Sequence, residues 1–178
     1  METGRLYSKF KMSLWLIPAL LLHLFWFSQA AHAGTSIWGQ AATPTLLSAS
    51  DTNAVELGLK FRSTVAGYIT GIRFYKSAQN TGTHVGHLWT GSGTLMASVT
   101  FSNETASGWQ FQALATPVAI TANTTYVVSY YAPVGRYSAD VGYFATSGVD
   151  SPPLRALSNS EAGGNGAAKS AKPKGSAS

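Results

Sequence analysis

Val55-Glu56-Leu57-Gly58-Leu59-Lys60-Phe61-Arg62 is the stretch whose reading decides the fold. Val55, Leu57, Leu59 and Phe61 point one way, and Glu56, Gly58, Lys60 and Arg62 the other. That period of two is the mark of a half-buried strand. Working outward, Ala66 to Tyr75 is also strand-like, but its apolar phase slips near Gly71, where a glycine signals a bulge. Residues 77–83 (SAQNTGT) are turn chemistry. Val85 to Trp89 reads as a short strand closed by Gly91-Ser92-Gly93, and residues 94–101 alternate again. Trp109, Phe111 and Ala113 alternate with Gln110 and Gln112. Val118 and Ile120 follow Pro117, residues 125–131 alternate, and Tyr137 to Ala145 reads as a last strand. No window from residue 34 onward carries the i, i+3, i+4, i+7 apolar spacing of a helix. Strands recurring every 8–12 residues between turn signals predict an all-β fold, a single antiparallel β-sandwich of jelly-roll or immunoglobulin-like type. Val118-x-Ile120, the turn at Ala122-Asn123, then Tyr126 matches the corner tyrosine of immunoglobulin-like sandwiches. An ordinary core tyrosine is the competing reading.

The two ends have a different texture. Arg5, Lys9 and Lys11 precede a fourteen-residue apolar run, Leu14 to Phe27, and Ala31-His32-Ala33 is a small-x-small triplet. Residues 1–33 therefore read as a signal peptide cut between Ala33 and Gly34, which predicts a secreted, extracellular protein. The run is shorter than the roughly 20 residues of a membrane span, so no stable span is expected after cleavage. Ser151-Pro152-Pro153 stops a strand, which leaves the sandwich module at residues 34–157. Residues 158–178 hold no aromatic, Val, Ile or Leu. Such a Gly/Ala/Ser/Lys tail cannot offset its ordering entropy by burial and is expected to be disordered. The chain has no cysteine, which excludes disulfides and thiolate metal sites.

Several runs resemble a known family. They are Asn53 to Gly58 with Lys60-Phe61-Arg62, Gly71 to Lys76, Asn80 to His84 with Leu88-Trp89, Glu104 to Trp109, Tyr126 to Pro133, and Gly142-Tyr143-Phe144. Dense and in order, they make the region from Ser36 to about Gly166 similar to the exported bacterial modules called domain of unknown function 4082. The resemblance implies a β-sandwich accessory module, found beside immunoglobulin-like repeats or carbohydrate-active enzymes in large secreted proteins. It implies no catalytic residues. Members of that family continue past a stretch like Gly163 to Gly166 into a closing aromatic strand. Residues 167–178 stand there in this chain with nothing strand-like, so the domain is expected to be truncated at its C-terminus.

No catalytic constellation is recognisable: there is no nucleophile elbow, phosphate loop or dinucleotide fingerprint. The chain is therefore read as a non-enzyme needing no cofactor. His84 and His87 lie three apart, which on a strand sends them to opposite faces and argues against a shared metal. Glu56 reads as a solvated strand position. Asp51-Thr52-Asn53 reads as a turn, or as part of a calcium loop lacking the usual acidic run.

Aromatic residues are the one chemically suggestive class. Trp89 and Trp109 share alternation with apolar residues and are read as buried. Tyr131 faces away from Tyr126, Val128 and Tyr130. With Arg136 and Tyr137 in the following loop it is the candidate ligand-binding platform, since flat rings bind the apolar faces of sugars. The function expected is a secreted non-catalytic accessory module binding polysaccharide or cell-surface glycan. The alternative is a structural spacer or fragment of a larger exported protein, in contact with partner protein domains and holding no ligand. The formal charge of +5 does not point to nucleic acid. Residues 34–150 carry five basic and five acidic side chains, and the excess lies in the leader and the tail.

Overall fold

The computed structural model describes residues 34–166 with their side chains and the backbone of residues 168–170. The expected signal peptide, with its cleavage point after Ala33, and the end of the tail lie outside the described residues. The fold is antiparallel and nearly all β. Strands β1 (Val55–Ser63), β2 (Gly67–Lys76), β3 (Val85–Thr90), β4 (Leu95–Thr100), β5 (Gly108–Ile120) and β6 (Tyr126–Ala132) follow in order. The short strands β7 (Val149–Ser151) and β8 (Leu154–Ala156) come next, then one helical turn, α1 (Asn159–Ala162), and strand β9 (Ala168–Ser170). One seven-stranded sheet runs β4-β3-β6-β1-β8-β7, with β9 also on β1. The second sheet is the pair β2-β5.

Alternation becomes two-layer packing. Phe61 of β1, Leu88 of β3 and Tyr126 of β6 meet Ile120 of β5 in one buried cluster. Ile72 and Phe74 of β2 and Leu114 of β5 pack with Phe101 and with Val128 and Tyr130 of β6 in another. The two sheets thus face each other across a shared apolar layer, a sandwich-like arrangement. The phase slip at Gly71 is a register shift in the β2–β5 pairing between Ile69 and Gly71. At the crossing from β5 to β6, Tyr126 is buried, and its hydroxyl accepts from the Thr121 backbone N–H at 3.0 Å. This is the corner-tyrosine geometry.

Four expectations are corrected. Residues 137–145 form no strand; they are a loop joined to the body by a lone bridge, Leu46 to Ala139. Pro152-Pro153 stops β7 but also turns the chain into β8. Disorder from residue 158 is overturned over residues 158–166. Ser158 and Glu161 form a reciprocal capping box, and Gly163 closes the turn in left-handed conformation. Asn165 then replaces a strand residue. Its Oδ1 accepts from Lys60 N at 2.6 Å, and its Nδ2 donates to the carbonyls of Lys60 and Leu157. Polar capping orders this segment in place of apolar burial. Residues 168–170, expected to hold nothing strand-like, pair with Leu57, Glu56 and Val55.

Candidate functional site

Tyr131, Arg136 and Tyr137 do not form an open platform. Tyr131 lies on the outer face of the large sheet, as its alternation predicts, in register with Glu56 and Val85. Arg136 adopts φ 53°, with its N–H bonded to Asp51 O at 2.8 Å and its carbonyl accepting from Ser77 Oγ at 2.6 Å. The Tyr137 carbonyl accepts from Ala49 N. All three residues are half-buried, and among the described residues no side-chain hydrogen bond joins them. The loop is pinned from below, with Asp51 held in a turn by its own bonds to Asn53.

The histidines go to separate carboxylates. His84 is fully buried, with Nδ1 2.9 Å from both Glu104 oxygens and Nε2 2.9 Å from Asn80 Oδ1. Lys76 Nζ closes the chain on Glu104 at 2.8 Å. A group so enclosed braces the β2–β3 loop. Tyr130 stacks on Phe74 beside it, and burial raises its hydroxyl pKa above the ordinary value.

His87 and Trp89 point outward, because Gly86 and Leu88 take the inward phase of β3. This corrects the core reading of Trp89. Trp89 Nε1 donates to Ser129 Oγ at 2.8 Å, Ser129 donates to Glu56 Oε1 at 2.6 Å, and His87 Nδ1 lies 2.8 Å from the same oxygen. Glu56 is thus half-buried in a hydrogen-bonded row and not simply solvated. Side by side, Glu56, Gly58 and Trp89 line a cleft of about 460 Å³ closed by Gly91–Gly93 and Gly164–Gly166. Among the described residues Glu56 is the one carboxylate lining it, and its strand partner on β9 is Lys169. A second hollow of about 500 Å³ lies between the sheets. Its walls are core residues such as Leu57, Leu59 and Val128, and its polar edge, Asp140, already accepts from Thr45.

The outer face of the β2–β5 sheet is different. At one end Trp109 lies under Trp38, with centroids 6.4 Å apart, and donates to Ala42 O. Arg73 sits 4.0 Å over its ring. Trp109 is therefore covered, but from outside the core. Desolvation in that stack lowers the Arg73 pKa. Farther along the face, Phe111 is 63% exposed and Tyr68 69% exposed. A Cβ on Gly71 would fall 2.5 Å from Phe111 Cε2, so the ring rests on bare glycine backbone. Between and beside the two rings stand exposed Thr70, Ala113 and Ala119. Residues 63–72 and 110–121 contain no charged residue. Alternation alone could not find this pair, since Phe111 shares the phase of Trp109, which reads as core.

Fold and site define an all-β, antiparallel, two-sheet domain with exposed aromatic rings on the outer face of the smaller sheet. The chain belongs to the family described as Domain of unknown function (DUF4082), whose profile matches residues 41–177. No curated protein and no solved structure matches it.

Proposed function

We propose that this is a secreted, non-catalytic accessory module that binds glycan or cell-wall polymer through surface aromatics, on an immunoglobulin-like sandwich. The observation that carries the reading is the exposed pair Tyr68 and Phe111 on the outer face of the β2–β5 sheet, where Arg73 is stacked on Trp109. Flat rings of this kind bury the apolar C–H faces of sugars. The corner bond of Tyr126 supports the finer fold assignment. A non-catalytic role is supported by the titratable groups: the His84–Glu104 pair is enclosed, and among the described residues the cleft beside Trp89 is lined by one carboxylate where glycoside hydrolysis uses two. The surface aromatics of this reading are Tyr68 and Phe111 in place of Tyr131, Arg136 and Tyr137.

The test is binding of the purified chain to a broad glycan array and to cell-wall polymers. Binding that falls in the Tyr68→Ala/Phe111→Ala variant supports the reading. Silence across the array and the polymers favours the alternative, a spacer that positions neighbouring domains.

A further inference from the structure

We propose that the Tyr68–Phe111 face takes the flat side of an insoluble, β-linked polysaccharide and not a free oligosaccharide in solution. The proposal rests on the glycan-binding reading above and names the substrate class at that site. Phe111 lies down on Gly71, where any side chain would collide with the ring. Tyr68 is three residues from Gly71 along β2, at most about 10 Å at the usual strand rise, since the register shift between Ile69 and Gly71 falls between them. Two rings at such a spacing meet alternate sugars of an extended β-linked chain from the same side. Ala113 and Ala119 are too short to stand above them.

The chemistry around the rings selects the physical form of the ligand. A soluble oligosaccharide is captured by hydrogen bonds that choose among its hydroxyls, and it loses its own conformational freedom on binding. Here the neighbours are Thr70, alanines and Pro117, and Arg73, across from Phe111 in the β2–β5 register, is already taken up by the Trp109 ring, Ser36, the Trp38 carbonyl and Gln40. Nothing on the face offsets that ordering cost. A chain already fixed in a solid has little freedom left to lose, and its apolar face is presented flat.

A second copy of this chain is a poorer occupant. Two rings at this exposure present on the order of 300 Å². A stable protein interface needs roughly 800 Å² from each partner.

The experiment uses the whole chain in two arms. Depletion from suspensions of microcrystalline cellulose and of α-chitin measures retention on a solid. Titration with cellohexaose and chitohexaose, followed by tyrosine and tryptophan fluorescence, measures binding in solution. Retention on at least one solid is expected, and an excess of either soluble hexamer should not displace the protein. Phe111→Ala and Tyr68→Ala should each lower the partition constant about tenfold, at unchanged melting temperature. Phe111→Tyr, which keeps a flat ring, should restore it. Retention undiminished in the Tyr68→Ala/Phe111→Ala variant overturns the proposal, as does displacement by stoichiometric hexamer. If Trp89→Phe or Glu56→Gln removes binding instead, the module still binds glycan but through the cleft, and only this inference falls. If neither solid nor hexamer binds, the inference falls, and with a silent glycan array the broader reading falls with it.

Discussion

Tyr126 shows how much one hydroxyl can fix. It sits where the chain leaves one sheet for the other, and its ring packs 6.0 Å from Phe61 while its oxygen takes the Thr121 backbone N–H. The ring contributes apolar burial and the oxygen fixes the angle of the corner. Removing only the oxygen separates the two. Tyr126→Phe should cost about 1 kcal/mol, the net worth of a typical buried hydrogen bond. Urea unfolding should show a lower midpoint at unchanged m-value. An unchanged midpoint would mean that the corner is set by packing alone. The residue was legible from its spacing after Ile120 and the Asn123 turn. Its partner was legible only as a neighbouring backbone, because the hydroxyl's direction depends on the turn.

Among the elements, β1 is the centre of the large sheet and shows two ways of satisfying a strand edge. One edge pairs with β6 over Val55–Phe61. The other is shared by β8 and β9, and between them Asn165 bonds Lys60 through its carboxamide. Asn165→Asp puts an acceptor where Nδ2 donates to two carbonyls. It should destabilise the domain by about 1–3 kcal/mol, the cost of orphaned buried polar groups, read as a lower urea midpoint. The capping box of α1 carries a pH signature. The Ser158 backbone N–H and hydroxyl, then Arg155, hold Glu161 below its ordinary value of 4.5. A depressed folded value means that the stabilisation is present above the unfolded value and lost as pH falls through the folded one. Amide protection at Ser158 and Glu161 should therefore fall on acidification below pH 4.5, with no such step in Glu161→Gln.

These elements also mark what pattern reading can reach. The alternation of β1, the bulge at Gly71 and the strands of the body are legible because apolar burial writes them in residue order. In β3, Val85, Leu88 and Trp89 place apolar side chains in both phases, so the outward Trp89 was invisible. Residues 158–166 were misread because capping and a side-chain clamp order them, and hydrophobicity does not register either.

On the scale of the whole molecule, the net charge comes from the two ends of the sequence. Residues 34–150 balance five basic against five acidic side chains. Binding to a solid through the Tyr68–Phe111 face should then be insensitive to ionic strength. Retention should hold constant from about 0.01 to 1 M salt, a range over which the screening length falls from about 30 to 3 Å. Adsorption driven by the lysine-bearing end would instead decline steeply across it.

The seat of Phe111 on Gly71 has a thermodynamic consequence. The ring already lies against the Gly71 backbone before any ligand arrives. Association then immobilises little protein. Calorimetry of binding at this face should be dominated by water leaving apolar surface, seen as a negative heat-capacity change.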